Sequence, residues 1–198
     1  AGKSDEINSC IGCNQACLDH IFEMKLVSCL VNPRACHETK LIIRDTTDSK
    51  SIAVVGAGPA GLAAATTAAK RGHKVTLFEA DDKVGGQFNI ARQVPGKEEF
   101  AETIRYFKRQ VELTGVDLKL NTKATSEDLM AFDEVILATG ITPRLPEIPG
   151  VDNAKVMTYL DVLRDKKSVG KRVAIIGAGG IGFDVGEYLS HQGKSMNL

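Results

Sequence analysis

The sequence predicts an α/β fold built on a parallel β-sheet, and three observations support this prediction. From residue 52 onward, short apolar runs alternate with segments of helical pattern. Two of the apolar runs, residues 52–55 and 172–176, lead directly into glycine-rich loops. Each loop in turn opens a helical segment. This repeated order of strand, glycine turn and helix is typical of open parallel sheets with helices packed on their faces.

The first unit of the pattern is the clearest. Residues 52–55 form a short apolar run typical of a buried strand. Residues 62–71 are rich in alanine and predict a helix, with Gly72 as its C-terminal stop. Residues 74–79 alternate between polar and apolar and predict a second strand. Together these segments predict a β-α-β unit.

The next helix is predicted over residues 98–114. Phe100, Ile104, Phe107 and Val111 recur at spacings of four, three and four, which places them on one apolar face. Gly115 follows as a stop. Residues 116–120 and 134–138 then predict two more strands.

A crossover between two domains is predicted at residues 141–150. Three of the six prolines of the chain fall here, and they are incompatible with a regular helix or a central strand. Beyond it, residues 172–176 predict the first strand of a second unit. The domain prediction is therefore a cysteine-rich segment at 1–44, a linker at 45–51, a first nucleotide-binding domain at 52–142, and the crossover with the start of a second, incomplete nucleotide-binding domain at 143–198.

Composition excludes several classes of protein. The formal net charge is zero, which argues against a nucleic-acid binder. Hydrophobic residues make up 43% of the chain and charged residues 25%, so a disordered chain is a poor fit. No apolar run approaches the roughly 18 residues of a membrane span. The polar start of the sequence does not look like a signal peptide, and we expect a cytoplasmic protein without a membrane partner.

The first glycine loop matches a dinucleotide-binding fingerprint of the Rossmann type. Gly56 permits the tight turn, Gly58 lets the backbone approach a pyrophosphate, and Gly61 lets the helix pack against the strand. Glu79 stands at the end of the second strand, near the offset of about 20 residues expected for an acid that binds ribose hydroxyls. The alternative is a structural turn that binds no ligand.

The second glycine loop repeats the pattern at Gly177, Gly179 and Gly182. By the spacing of the first unit, its diagnostic acid would lie near position 200, beyond Leu198. The sequence therefore leaves open both the choice between NADH and NADPH and a purely structural turn.

All five cysteines lie within the first 36 residues, at Cys10, Cys13, Cys17, Cys29 and Cys36. Three thiolates within eight residues and a fourth from a returning loop suit a [4Fe–4S] cluster. Structural zinc sites more often pair their ligands in two short knuckles, and only Cys10 and Cys13 form one, although zinc stays an alternative. Cys36 could replace Cys29 as a ligand, but a leftover cysteine is more commonly a buried free thiol.

The cysteine run at 10–17 and the two glycine loops resemble one family. It is that of the iron–sulfur flavoproteins related to old yellow enzyme and trimethylamine dehydrogenase, and within it the C-terminal part of enzymes of the 2,4-dienoyl-CoA reductase type. Residues 28–36, 85–89 and 159–164 add to the likeness. It extends over essentially the whole chain.

The resemblance implies a role for each motif. The cluster ligands would be Cys10, Cys13, Cys17 and Cys29, with Cys36 outside. The adenosine half of FAD would be held by Gly56, Gly58, Gly61 and Glu79, and a second flavin contact would come from Gly86 and Gln87 after Gly85. Thr139 and Gly140 would mark the strand end where the chain leaves the FAD domain. Gly177, Gly179 and Gly182 would begin the NAD(P)H domain. No catalytic residue is implied in this part of the chain.

The resemblance also implies an activity. In such enzymes NADPH reduces FAD, electrons pass through the cluster, and FMN in a (β/α)8 barrel reduces a 2,4-dienoyl-CoA of fatty acid β-oxidation. The barrel would be the partner domain, and we do not expect these 198 residues alone to complete turnover. The alternatives are a zinc-stabilised nucleotide-binding module without redox activity, and the same relay serving an enoate or an amine.

Overall fold

The predicted α/β class is confirmed. The computed structural model describes residues 2–191 and contains a parallel sheet of four strands in the order β3-β2-β1-β4. The strands are β1 (Ser51–Val55), β2 (Lys74–Phe78), β3 (Asp117–Lys119) and β4 (Glu134–Leu137). The helices are α1 (Leu18–Phe22), α2 (Pro59–Lys70), α3 (Phe88–Ala91), α4 (Phe100–Thr114), α5 (Ser126–Leu129), α6 (Tyr159–Leu163) and α7 (Gly180–Ser190). The last seven residues of the predicted second domain, 192–198, lie outside the described part.

The predicted β-α-β unit is present as β1, α2 and β2. The two strands pair in parallel, with Ile52 opposite Val75. Helix α2 starts three residues earlier than predicted, because Gly58 is an extended N-cap and Pro59 supplies the fixed φ suited to the first helical position. It ends before Gly72, whose φ is +92°.

The main core lies between the sheet and the helices α2 and α4. Val54, Leu62 and Leu77 are the largest side chains that are almost completely inaccessible to solvent. The apolar face predicted for α4 packs against them through Ile104 and Val111. Burial of each such side chain contributes about 1.5–3 kcal/mol, so this layer fixes the sheet and the loops at its carboxyl edge.

One predicted strand is absent from the described residues. Residues 172–176 pair with no strand in the range 2–191, and the side chain of Ile176 is 73% exposed. A strand is stable only when its backbone groups and apolar side chains find neighbours, and no described segment supplies them here. The helix predicted after the loop is nevertheless formed as α7.

A second, smaller core joins three helices from distant parts of the chain. Ile90 and Val94 from the α3 region pack with Val162 and Leu163 of α6 and with Val185 of α7. The Nζ of Lys97 also lies 2.6 Å from Oδ1 of Asp184. The segment that leads into the second glycine loop is therefore fixed against the helix that follows Gln87.

The cysteine segment is attached to α4 through its first residues. A 3-10 helix at Ser4–Glu6 lies against α4. Arg105 donates from Nη2 to the carbonyl of Ile7 over 2.9 Å, and the Nε of Arg109 lies 3.2 Å from Oδ2 of Asp5. The residues predicted as a linker, 45–51, are also bound, since the Thr46 N–H donates to the Arg71 carbonyl over 2.7 Å.

Residues 141–150 contain no helix or strand, as the prolines predicted, and the irregular segment continues to residue 158. Within residues 2–191, helices are too short or too polar to cross a membrane. The predicted domain boundaries stay a prediction.

The core generates a stability prediction. We expect Leu77→Ala to lower the free energy of unfolding by about 2–5 kcal/mol, because Leu77 is fully buried and its truncation leaves a cavity. Leu137→Ala is the matched control: its side chain is 72% exposed, and we expect a change within about 0.5 kcal/mol. Urea denaturation without added nucleotide measures both, and equal losses would contradict the assignment of the core.

Candidate functional site

The first glycine loop connects β1 to α2 and lies at the carboxyl edge of the sheet. Gly56 has φ +102°, and a Cβ on it would lie 2.3 Å from the carbonyl oxygen of Ala138. A Cβ on Gly61 would lie 1.8 Å from the carbonyl oxygen of Gly56. Both positions therefore require glycine to hold strand, turn and helix together.

The N-terminus of α2 lies at the end of this loop. Gly58 is its N-cap in an extended conformation and provides no side-chain cap. The first N–H groups of a helix have no intrahelical acceptor, and the helix dipole places partial positive charge beside them. With its twelve residues, α2 offers the arrangement that binds a pyrophosphate.

Glu79 directly follows β2 and contacts the same loop. Its Oε2 accepts a hydrogen bond from the N–H of Ala57 over 2.7 Å, and its Oε1 accepts one from the N–H of Asp81 over 2.9 Å. These bonds fix a half-buried carboxylate next to the glycine turn. Each oxygen keeps lone-pair capacity for a further donor such as a ribose hydroxyl.

The turn at Gly85, Gly86 and Gln87 lies on the first loop. The N–H of Gly85 donates to the carbonyl of Ala57 over 2.8 Å. Gly86 has φ +49°, and a Cβ on it would lie 3.0 Å from Cα of Gly58. Gln87 is the N-cap residue of α3 and is half-buried beside this contact. The two turns predicted to contact the flavin are thus brought together.

Thr139 and Gly140 follow β4 at the same edge of the sheet. The N–H of Ala138 donates to the carbonyl of Val55 over 2.8 Å and extends the pairing of β4 with β1. Both Thr139 and Gly140 are exposed. Because β2 and β4 lie on opposite sides of β1, the chain leaves β1 at the switch point where open α/β sheets bind ligands.

These residues fit a dinucleotide. The N-terminus of α2 suits a pyrophosphate, the Glu79 carboxylate suits a ribose, and the small residues leave the backbone open to both. The arrangement as a whole could hold the adenosine half of FAD.

The second glycine loop has the same turn with a different environment. Gly177 has φ +109°, and a Cβ on Gly182 would lie 2.1 Å from the Gly177 carbonyl oxygen. Gly179 is the extended N-cap of α7. A Cβ on Gly177 or Gly179 would meet nothing within 4 Å, in contrast to Gly56. The backbone of the second loop therefore resembles that of the first, although its preceding strand is not formed in the described residues.

The five cysteines are all free thiols. The N–H of Ser28 donates to the Ala16 carbonyl over 2.7 Å, and the side-chain amide of Asn8 donates to the Val31 carbonyl over 2.7 Å. These hydrogen bonds hold residues 28–31 against residues 8–16. Cys29 follows Ser28 and Cys17 follows Ala16, so each of these cysteines is next to a residue that makes one of the bonds. Cys36 is exposed, which corrects the expectation of a buried thiol.

The four predicted ligands are cysteine sulfurs, which are soft donors of the kind that an iron–sulfur cluster binds. They lie on two segments that are joined by hydrogen bonds. The N–H of Gly12 already donates to Sγ of Cys10 over 3.3 Å, a contact that suits a ligating sulfur. Over residues 2–191, histidine, cysteine and carboxylate side chains form no group of three or more arranged to hold a metal ion. The ligand assignment therefore stays a prediction.

Tyr159 is a residue of this site for which the sequence patterns predicted no role. Its hydroxyl donates to Oε1 of Gln87 over 3.1 Å, from α6, 72 residues further along the chain. Two signals pointed to it in the sequence: it begins the segment 159–164, which adds to the family likeness, and it follows Thr158 in a Thr-x-x-Asp pattern that begins a helix.

Several known proteins are similar to this chain. It is 40% identical to the metal reductase of Desulforamulus reducens and 37% identical to the cinnamate reductase of Clostridium sporogenes, over 100% and 99% of its length. Among solved structures, a complex of 2-naphthoyl-CoA reductase with 2-naphthoyl-CoA matches with 39% identity and a TM-score of 0.91, covering 96% of this chain and 29% of that one. The chain spans about 30% of the length of the curated relatives.

A family match covers most of the chain. Residues 50–198 match the family described as pyridine nucleotide-disulphide oxidoreductase, and the matched range includes both glycine loops, Glu79 and Gln87. This match implies binding of FAD and NAD(P)H. The chain belongs to the pyridine nucleotide-disulphide oxidoreductase family.

Proposed function

We propose that this chain is the electron-relay part of an NAD(P)H-dependent iron–sulfur flavoenzyme. The observation that carries the proposal is the junction at Ala57. Its N–H donates to Glu79, and its carbonyl accepts from Gly85, so the first glycine loop, the ribose-binding acid and the Gly86–Gln87 turn meet at one edge of the sheet.

The residues of this edge bind and orient the flavin cofactor. The N-terminus of α2 compensates the pyrophosphate charge, and Glu79 accepts hydrogen bonds from ribose hydroxyls. Gly86 and Gln87 lie next to the cofactor on the side of α3. The second loop, at Gly177, Gly179 and Gly182, begins the site for NADH or NADPH. FAD held at this edge would supply hydride-accepting chemistry, and a [4Fe–4S] cluster held by the cysteines would supply one-electron transfer.

Cys10, Cys13, Cys17 and Cys29 would hold the cluster. Their spacing and the hydrogen bonds between the two cysteine-bearing segments support this assignment. The 3-10 helix just before Cys10 lies on α4, which also packs against the Gly85 turn. This arrangement keeps the cysteine segment attached to the flavin-binding domain.

For the whole enzyme we propose FMN in a (β/α)8 barrel as the final carrier, and an unsaturated CoA thioester, a 2,4-dienoyl-CoA, as substrate. The likeness to 2-naphthoyl-CoA reductase supports the thioester class. An enoate is the second candidate, supported by the likeness to the cinnamate reductase. The 33% identity to the N,N-dimethylglycine/sarcosine dehydrogenase of Chromohalobacter salexigens supports an amine as the third.

The cluster assignment is tested by elemental analysis. We expect the cysteine segment of the intact enzyme, purified without oxygen, to contain about four irons and about four acid-labile sulfides per chain. Cys17→Ser should lose most of both, because one ligand position is lost. Cys36→Ser is the matched control and should retain them. Zinc without acid-labile sulfide in the wild-type protein would contradict the relay proposal and would favour a zinc-stabilised module.

The flavin assignment is tested at Glu79. We expect Glu79→Gln to weaken FAD binding about tenfold, because hydrogen bonds to a charged acceptor contribute about 1.5–3 kcal/mol. Fluorescence titration of the apo-enzyme with FAD measures the effect. Glu127→Gln, on the exposed surface of α5, is the matched control and should leave the Kd unchanged. Equal Kd values for Glu79→Gln and wild type would contradict the assigned site.

A further inference from the structure

We propose that Tyr159 is a positioning residue that fixes the side-chain amide of Gln87 toward the bound flavin cofactor. The inference deepens the proposed function and rests on FAD binding at the first glycine loop. It concerns a hydrogen bond between the flavin-binding turn and the segment that leads to the second glycine loop.

The amide of Gln87 has two chemically different ends. Its Oε1 accepts from the Tyr159 hydroxyl over 3.1 Å. Its Nε2, with two N–H groups, has no hydrogen-bond acceptor among residues 2–191. Because the oxygen is held by the tyrosine, the nitrogen is the end left for a ligand.

The place of Gln87 determines which ligand that is. Gly86, the preceding residue, lies so close to Gly58 that a Cβ on it would be 3.0 Å from Cα of Gly58. Gln87 thus stands beside the loop that is proposed to hold the flavin nucleotide. We infer that its N–H groups donate to an acceptor oxygen or nitrogen of that nucleotide.

Helix α6 holds Tyr159 firmly enough for this task. Thr158 and Asp161 form a reciprocal capping box directly around Tyr159. Hydrogen bonds from Lys167 and Thr158 hold the pKa of Asp161 well below its usual range, so the cap is ionised at neutral pH. Val162 and Leu163 are buried against Ile90 and Val94 from the α3 region. The tyrosine is therefore anchored to the same helix that Gln87 begins.

Tyr159→Phe in the full-length enzyme is the test, because it removes the hydroxyl and keeps the ring. We expect the Kd for FAD to rise about fivefold, the effect of one lost hydrogen bond, and the absorption maximum of the bound flavin to shift. Gln87→Ala should have a similar effect. The double variant should be no weaker than Gln87→Ala alone, since the tyrosine acts through the glutamine.

Two further variants separate positioning from a general loss of structure. Tyr106→Phe removes the hydroxyl of a half-buried tyrosine on α4 that makes no hydrogen bond with Gln87, and it should leave both the Kd and the spectrum unchanged. Gln87→Glu keeps an acceptor for Tyr159 but removes the two N–H donors, and should weaken FAD binding although Tyr159 is intact.

The outcomes distinguish this inference from the function on which it rests. A wild-type enzyme that takes up no FAD would overturn both. A wild-type enzyme that binds FAD, with Tyr159→Phe equal to it in Kd and spectrum, would overturn the inference alone. An effect of Tyr159→Phe that is fully additive with Gln87→Ala would also overturn it, because the tyrosine would then act by another route.

Discussion

The close approach of backbone segments around Gly56 is the constraint on which the rest of the structure depends. The space for a Cβ at Gly56 is taken by the end of β4, and the space for one at Gly61 is taken by Gly56 itself. A side chain at either position would push α2 away from the sheet or separate β4 from the turn after β1. The position of the uncapped N-terminus of α2 and the packing of the main core behind it both depend on this close approach.

Glu79 links that turn to the neighbouring strand by charge rather than by packing. Its carboxylate accepts hydrogen bonds from two backbone N–H groups of the protein itself, those of Ala57 and Asp81. The acid is therefore oriented in advance, and a ligand would not have to order it. Preorganisation of this kind reduces the entropy lost on binding.

The sequence predicted the first unit well because independent signals agreed there. The apolar run before Gly56, the alanine-rich helix and the alternation before Glu79 each point to one arrangement. The strand at 172–176 has the same local pattern, but pairing decides strand formation and no described segment pairs with it. The role of Tyr159 could not be predicted, because its hydrogen bond to Gln87 joins residues 72 positions apart and produces no periodic pattern in the sequence. The cysteine ligands were chosen from spacing, a property that describes order along the chain and not distances between sulfur atoms.

The attachment of the 3-10 helix to α4 has a consequence for sequence variation. Arg105 donates to the main-chain carbonyls of Ser4 and Ile7 and not to their side chains. A carbonyl is present whatever residue occupies the position, and it does not titrate. The side chains at positions 4 and 7 are therefore free to differ between relatives without cost to these bonds, whereas Arg105 has no substitute of equal reach and planar geometry. Of the contacts that attach the 3-10 helix, those of Arg105 therefore depend only on a side chain of α4, whereas the ion pair of Arg109 also needs the carboxylate of Asp5.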